Sequence, residues 1–276
     1  VDALGAEVRG LEDSESLRAS PPGLPVVVRV DGASFSRFTR GFGRPFDARI
    51  AEAMDAACKA LVQDFNCLVG YTQSDEISVL CWSPEGELPF GGRFQKLASR
   101  FAAKATSSFL VKALELFPEA VERQVPEFDG RATAFPSIDA AARAFLWREI
   151  DARKNAVSMA ARSMFSARSI HGKSSSQMKE MLAAEGIDFR AYPERFRRGA
   201  FFRRVTVERF LSPAELARIP EANRPQGPVK RSHVAPVSLP PLSQVVNLAE
   251  VLAYGAAPLA PTIPPDTAAG LHRTEP

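Results

Sequence analysis

Short apolar runs and longer helical stripes alternate along the first two thirds of the chain. The runs Val26–Val30, Cys67–Tyr71 and Ile77–Trp82 predict strands, and the last two are joined by a tight turn that predicts a hairpin. Apolar residues of Asp47–Phe65 recur every three or four positions, which predicts an amphipathic helix. The predicted order is therefore strand, helix, strand, turn, strand.

Helical spacing continues downstream of the hairpin. Phe94–Phe117 and Ile138–Phe165 predict two long helices, and Ser137 is placed to cap the second one. A short strand is predicted between them at Ala132–Phe135. The pattern as a whole favours an α+β protein whose antiparallel strands are covered by helices.

The composition is that of an ordinary globular protein, with 276 residues, 45% hydrophobic and 24% charged. No apolar run approaches the roughly 18 residues of a membrane span, and the chain does not open on a basic segment followed by an apolar one. The three cysteines are odd in number and lack C-x-x-C spacing, which argues against a disulfide framework or a zinc site. We expect no membrane partner, and a reducing cytoplasmic location.

The type of basic residue is more informative than the net charge of the chain. The formal net charge is only +3, but the basic residues are mostly Arg and many lie in the second half. The planar guanidinium pairs bidentately with phosphate, so a phosphate-rich partner is one explanation. A genome-wide preference for Arg over Lys is the other.

Three carboxylates lie at predicted strand ends. Asp31 follows the first strand, and the pair Asp75 and Glu76 occupies the hairpin turn. Asp31 and Asp75 on neighbouring strands suit two magnesium ions and a triphosphate. Gly32 would let a phosphate approach the backbone amides that follow it. An ordinary Asp-Gly turn and a polar hairpin tip remain the alternative from these residues alone.

Two other candidate sites are weaker. Gly172-Lys173-Ser174 has the end of a phosphate-binding loop motif, but Ala167 stands where the motif requires Gly and no strand precedes it. The three histidines, His171, His233 and His272, are too scattered to predict a metal cluster.

Four motifs, in order and spacing, resemble those of the tRNA(His) guanylyltransferase family, and most closely its bacterial Thg1-like branch. The resemblance covers about residues 25–205. The motifs are Arg29-x-Asp31-Gly32-x-x-Phe35, Arg44-Pro45-x-Asp47, Gln73-Ser74-Asp75-Glu76-x-Ser78 and Gly91-Gly92-Arg93-x-x-Lys96.

The resemblance implies a fold and an activity. The fold is α+β, with a polymerase-palm-like antiparallel sheet backed by helices and a helical C-terminal part. The activity is a magnesium-dependent 3′-5′ nucleotidyltransferase reaction at the 5′ end of tRNA, in which ATP or GTP activates the 5′-monophosphate and a nucleotide, usually GTP, is then added. Two Mg²⁺ ions per site and a homotetramer are further implications.

The resemblance also assigns site residues. Asp31, Asp75 and Glu76 would be catalytic, and Asp31, Asp75 and the carbonyl of Gly32 would hold the metal ions. The nucleotide-binding positions would be Asp31, Gly32, Ala33, Ser34, Phe35, Ser36, Arg44, Ser74, Asp75, Arg93 and Lys96.

Contacts with tRNA are predicted for basic and polar side chains in both halves of the chain. They are Arg29, Arg93, Lys96, Arg148, Lys154, Asn155, Lys173 and Arg198. The third long helix departs from the His-Ile-Asn-Asn-Leu-Tyr-Asn signature of eukaryotic members, since Ala152–Ser158 keeps only Asn155 clearly. This departure resembles the Thg1-like branch and favours templated repair of 5′-truncated tRNAs over strict G addition to tRNA(His).

The predicted division of the chain has four parts. Residues 1–24 form a polar leader, 25–136 the palm-like catalytic core and 137–215 a helical and basic part of the same domain. Residues 216–276 form a Pro-rich tail, extended or loosely packed apart from a possible helix at Gln244–Tyr254. Two functions from other classes stay open: a palm-type nucleotide cyclase and an inactive RNA-binding homologue.

Overall fold

A computed structural model describes residues 3–83 and 87–261 of the chain. All of its strands join one antiparallel sheet. In chain order they are β1 (Val26–Gly32), β2 (Val69–Gln73), β3 (Glu76–Cys81), β4 (Phe128–Ala134), β5 (Ala200–Arg209) and β6 (Val229–Val237). The order across the sheet is β4-β1-β3-β2-β5-β6, which places β3 and β2 at its centre.

The α-helices vary from single turns to more than seven turns. They are α1 (Ala3–Ser16), α2 (Phe35–Phe38), α3 (Ala48–Asp64), α4 (Phe94–Leu116), α5 (Pro118–Arg123), α6 (Ile138–Met164), α7 (Ala167–Ile170), α8 (Ser175–Ala184), α9 (Glu194–Arg198), α10 (Pro213–Ala217) and α11 (Leu248–Tyr254). Short 3₁₀ turns lie at Pro89–Gly92, Phe189–Ala191, Glu221–Asn223 and Leu242–Gln244.

Both faces of the sheet are covered by helices. Because side chains alternate along a strand, Val28 of β1 packs with α3 and α4 on one face, and Val27 packs with α6 and α11 on the other. A third apolar cluster joins the C-terminal half of α6 to α8. The α+β prediction, with an antiparallel sheet backed by helices, is confirmed.

Local sequence signals set the helix starts. The side chain of Asp47 accepts a hydrogen bond from the amide of Arg49 at the start of α3. The side chain of Ser137 accepts one from the amide of Ala140 at the start of α6. Ser174 and Gln177 form a reciprocal capping box on α8. The predicted helices over Asp47–Phe65, Phe94–Phe117 and Ile138–Phe165 therefore match the structure to within one residue at each end.

The strands after residue 199 were not predicted from the sequence. The basic segment around Arg203 is β5, which pairs with β2 over only its first four residues, and the rest of β5 extends beyond the sheet core with β6 alone. Its outer half is exposed, so no buried alternation marks it as a strand. β6 lies at the sheet edge, where Pro236 is tolerated.

The predicted division into parts needs two corrections. The sheet continues through β5 and β6, so residue 215 does not separate a tail from the catalytic domain. The segment from 239 to 254 is packed, since Leu242, Val251 and Leu252 are fully buried in the cluster that contains α6. The last 15 residues, including His272, lie outside the described part of the chain.

Within residues 3–83 and 87–261, no helix combines the length and the apolar character that crossing a membrane would require. The three cysteines are buried free thiols.

Candidate active site

The two acidic stretches meet where β1 ends and the β2–β3 hairpin turns. Asp31 lies directly opposite Glu76 in the antiparallel register, and the amide of Gly32 donates to the carbonyl of Asp75 at 3.0 Å. Residues 44 positions apart in the sequence are thus neighbours at one edge of the sheet. The structure thus brings together the two strand ends that carry Asp31 and Asp75.

The turns that carry the carboxylates are held in an uncommon backbone conformation. Ser74, between the two strands of the hairpin, has φ 47°, and Ser34, three residues after Asp31, has φ 53°. Non-glycine residues adopt this left-handed region at a cost of about 1–3 kcal/mol, and such residues concentrate at functional sites. The fully buried hydroxyl of Thr72 donates to the carbonyl of Glu76 at 3.0 Å and braces the hairpin.

Glu76 is enclosed by two arginines. Its Oε2 accepts from Nη1 of Arg148 at 2.7 Å and lies 3.4 Å from Nη1 of Arg29. Burial raises the pKa of Glu76, and the charges of Arg148 and Arg29 only partly oppose this. Its Oε1 is buried and finds no hydrogen-bond partner in the part of the chain that is described. Arg148 and Arg29, both predicted to contact tRNA, are therefore engaged by Glu76.

Asp75 carries its charge in a poorly solvated position. Burial raises its pKa, the nearby charge of Asp31 adds to this, and a hydrogen bond from the side chain of Ser74 opposes it. Two carboxylates held this close repel each other unless a cation lies between them. The site therefore favours divalent cations on electrostatic grounds.

The donor set at this sheet edge consists of oxygen atoms. It comprises the carboxylates of Asp31 and Asp75 and the backbone carbonyl of Gly32, which suit Mg²⁺. Across the described ranges, no group of three or more His, Cys, Asp or Glu side chains is arranged to hold a metal ion. Water and substrate phosphate would complete the coordination, as is usual for Mg²⁺.

A cleft of about 620 Å³ opens beside Asp75. Ser74 and Asp75 line it on one side, and α6 lines it through residues from Ala152 to Ser163. Four arginines also line it: Arg40, Arg44, Arg162 and Arg195. Arg195 is paired with Asp55 at 2.7 Å, whereas the other three are exposed and have no ion-pair partner among residues 3–83 and 87–261. Such a cleft can neutralise a triphosphate next to bound metal ions.

One wall of the cleft is aromatic. The rings of Phe46 and Phe196 are stacked with centroids 5.0 Å apart, and Tyr192 meets Phe46 edge to face. Phe46 and Phe196 both line the cleft, so a flat apolar surface lies beside the arginines. A nucleotide has the matching combination of a flat base and charged phosphates.

The predicted amide cradle after Asp31 is only partly available. The amide of Gly32 is used by Asp75, and that of Ala33 donates to the carbonyl of Glu127 at 2.9 Å. The amides of Ser34, Phe35 and Ser36 remain at the start of α2. The ring of Phe35 is buried against Phe38 and Phe109, so only its backbone could contact a nucleotide.

Several other predicted contacts lie away from the carboxylates. Arg93 precedes α4, pairs with Ala19 in a short bridge and donates through Nε to the carbonyl of Phe90. Neither Arg93 nor Lys96 is among the residues that line the cleft beside Asp75. Lys173 is exposed in the turn between α7 and α8.

On α6, Lys154 and Asn155 are exposed, and Nδ2 of Asn155 donates to Asp151 at 3.1 Å. Arg198 requires a correction, since it is buried and pairs with Glu149 and Glu194, both at 2.6 Å. A phosphate cannot reach a guanidinium that is occupied in this way. Its role is to hold α9 against α6.

Sequence reasoning missed three of the cleft arginines as site residues. Arg40 lies only nine residues after Asp31, and Arg162 continues the polar stripe of α6 that contains Asn155. Those spacings were available signals. Arg195 belongs to a basic segment whose orientation depends on the packing of α9, which no local pattern reveals.

Comparisons with known proteins agree with this geometry. A family model described as tRNAHis guanylyltransferase matches residues 6–136. The chain is 28% identical to the tRNA(His) guanylyltransferase of Schizosaccharomyces pombe, over 68% of this chain and 76% of that protein. It is 28% identical to the Saccharomyces cerevisiae protein of the same name, over 66% of this chain and 84% of that one.

Solved structures extend the likeness to most of the chain. A bacterial tRNA(His) guanylyltransferase (Thg1)-like protein in complex with ATP superimposes with a TM-score of 0.75 at 28% identity, covering 91% of this chain and 99% of that one. The corresponding complex with GTP gives a TM-score of 0.65, covering 88% of this chain and 94% of that one. The structural likeness therefore extends well beyond the residues 6–136 that the family model matches.

Proposed function

We propose that this chain is a nucleotidyltransferase of the tRNA(His) guanylyltransferase family and that it adds nucleotides to the 5′ end of tRNA in the 3′-5′ direction. The reaction would depend on Mg²⁺ and use ATP or GTP for activation and GTP as the typical added nucleotide. By family analogy the protein would act as a homotetramer.

One observation supports the proposal more than any other. Asp31 and Asp75 converge at one sheet edge, and the cleft beside Asp75 offers unpaired arginines together with an aromatic wall. A cation site next to a triphosphate-sized basic cleft is the arrangement that phosphoryl-type transfer requires.

Each group has a role in this proposal. Asp31, Asp75 and the carbonyl of Gly32 would hold two Mg²⁺ ions, which when bound activate the attacking oxygen and stabilise the leaving phosphate. Arg44, with Arg40 and Arg162, would neutralise the triphosphate. Glu76 would act through its buried pair with Arg148, keeping the strand end rigid beneath the carboxylates.

The proposed chemistry has two transfers. In the first, an oxygen of the tRNA 5′-monophosphate attacks the α-phosphorus of ATP and pyrophosphate leaves, which gives a 5′-adenylylated end. In the second, the 3′-hydroxyl of the incoming nucleotide attacks the tRNA 5′-phosphorus and AMP leaves. Negative charge builds on phosphate oxygens in both, where the cleft arginines would stabilise it.

The substrate is proposed to be a 5′-truncated tRNA whose opposite strand selects the added nucleotide. Support comes from α6, where Lys154 and its neighbours replace the His-containing signature of the eukaryotic members. Base pairing would then supply the selectivity that a dedicated side chain provides elsewhere.

The test uses 5′-monophosphorylated tRNA lacking its first nucleotide, with ATP, Mg²⁺ and all four nucleoside triphosphates. We expect the wild type to extend the 5′ end with the nucleotide that complements the template. Asp75→Asn should lower the rate by at least about 100-fold, because removing a ligand strips charge stabilisation from the metal site. The matched control is Asp139→Asn, an exposed aspartate in the first turn of α6, which should retain activity.

Two results would count against the proposal. One is appreciable 5′ extension by Asp75→Asn in the presence of Mg²⁺. The other is a cyclic nucleotide formed from ATP or GTP alone, which would identify a nucleotide cyclase instead.

A further inference from the structure

Trp147 is a large aromatic side chain left open to solvent on α6. Its side chain is 57% exposed, whereas a tryptophan of a folded core is usually mostly buried. The guanidinium carbon of Arg148 lies 3.6 Å from the centroid of the indole ring. One face of the ring is therefore covered by a cation, and the ring is held in a defined orientation.

The same arginine connects this ring to the carboxylates. Nη1 of Arg148 lies 2.7 Å from Glu76, and Glu76 lies directly opposite Asp31 in the sheet. Arg148 thus contacts both the indole ring and the carboxylate of Glu76 at the acidic strand end. The arginine-lined cleft begins further along α6, at Ala152, on the side of Asp75. Trp147 does not line that cleft, so the ring and the cleft are separate surfaces.

A second cation accompanies the exposed ring. Arg143 lies four residues before Trp147, one helical turn away on the same side of α6. It is exposed and finds no ion-pair partner within the described part of the chain. An open aromatic ring beside free and stacked arginines is typical of surfaces that bind single-stranded nucleic acid ends.

We propose that Trp147 stacks on the 5′-terminal base of the RNA substrate and that Arg143 contacts the adjoining phosphate. This inference rests on the proposed function and assigns the two surfaces to different reactants. The nucleoside triphosphate occupies the cleft, and the RNA end approaches over Trp147. Trp147 is a positioning residue in this arrangement, since it orients the end without touching the reacting atoms.

The first test measures stacking without catalysis. Trp82→Phe leaves Trp147 as the only tryptophan of the chain, because there are two in all. The probe is a 5′-phosphorylated RNA hairpin that lacks the first 5′ nucleotide of its stem, compared with the same hairpin carrying an abasic 5′-terminal residue. We expect the fluorescence of Trp147 to fall on titration with the first RNA and to change much less with the second. ATP alone should leave it unchanged.

The second test is kinetic. Trp147→Ala should raise KM for the RNA about tenfold while KM for the nucleoside triphosphate stays within about twofold, in line with the usual effect of losing one base stack. Trp147→Phe should restore most of the affinity, since a smaller ring still stacks. Phe210→Ala removes a ring that is 72% exposed elsewhere on the surface and should leave both constants unchanged.

Clear results would overturn the assignment. Equal quenching by the two hairpins, quenching by ATP alone, or an unchanged KM for RNA in Trp147→Ala would each contradict it. Because the fluorescence readout does not need turnover, it decides the role of Trp147 even if the chain fails to extend tRNA. Conversely, normal 5′ extension with no effect of the variants rejects this inference and leaves the proposed function standing.

Discussion

The surroundings of Asp47 and Asp75 shift the pKa values of the two carboxylates in opposite directions. Asp47 accepts hydrogen bonds from the amide and guanidinium of Arg49, which lower its pKa to about 2. Asp75 is held in a partly buried turn that raises its pKa. The first residue stabilises the start of α3. The charged form of the second is disfavoured by burial and by the charge of Asp31.

Asp47 gives a prediction for stability. Asp47→Ala should lower the free energy of unfolding by about 1 kcal/mol at pH 7, because α3 loses its cap. A lowered folded-state pKa means that this contribution is present above pH 3.8 and is lost as the pH falls towards 2. Urea unfolding of both proteins from pH 7 to pH 2 measures the difference, which should shrink in that window. Asp139→Ala, where Ser137 supplies the cap, should cost less than half as much.

At the scale of elements, the β2–β3 hairpin positions the candidate catalytic residues Asp75 and Glu76. Its two-residue tip carries Ser74 in the left-handed region and Asp75 at the proposed metal-binding edge. The buried hydroxyl of Thr72 spans the hairpin to Glu76, and Nη1 of Arg195 reaches the Thr72 carbonyl at 3.4 Å. The tip is thereby fixed from within the hairpin and from α9.

The hydrogen bond from the Thr72 hydroxyl to the Glu76 carbonyl can be removed with little change in side-chain volume. Thr72→Val should cost about 1–2 kcal/mol of unfolding free energy, since the Glu76 carbonyl loses a buried donor. It should also slow nucleotide addition at least about tenfold, because a small shift of Asp75 disturbs the reacting geometry. Chemical denaturation and single-turnover kinetics measure the two effects. Thr133→Val on the exposed face of β4 is the control, and equal losses in both variants would exclude the brace.

At the scale of the whole molecule, a buried ion pair fastens three distant segments. Glu149 of α6 is fully buried and accepts from Arg198 of α9 at 2.6 Å and from the amide of Leu242 at 2.8 Å. Arg198 also donates to the carbonyl of Leu239. The Pro-rich segment is therefore part of the core, held by charge-assisted hydrogen bonds as well as by apolar contacts.

Arg198 pairs with two glutamates, and we expect their removal to lower the free energy of unfolding by different amounts. Glu149→Ala should cost about 3–5 kcal/mol, because it leaves a buried guanidinium without its main partner. Glu194→Ala should cost no more than about 1 kcal/mol, since that carboxylate is 54% exposed and solvent replaces it. Denaturant titration of both variants gives the comparison. Similar small costs for both would mean that the C-terminal segment is not fastened through Arg198.

Part of the site was predictable because it depends on short spacings. Asp31 lies at the end of one predicted strand and Asp75 in the turn between two others. Antiparallel pairing of these strands then brings the two residues together. The roles of Arg148 and Arg198 were not predictable in this way. Both are arginines on helices, but one faces Glu76 and the other a closed core, and only packing distinguishes a free guanidinium from a paired one.

By itself, the sequence determined the three long helices, the first strands and the pair of acidic turns, because each of these is encoded by periodicity, caps and turn residues within a few positions. Only the tertiary structure decided that β5 and β6 extend the sheet, that the C-terminal segment is core, and that Trp147 stands open beside the carboxylates. Those properties depend on which distant segments exclude water from each other, and burial of that kind has no local signature in the chain.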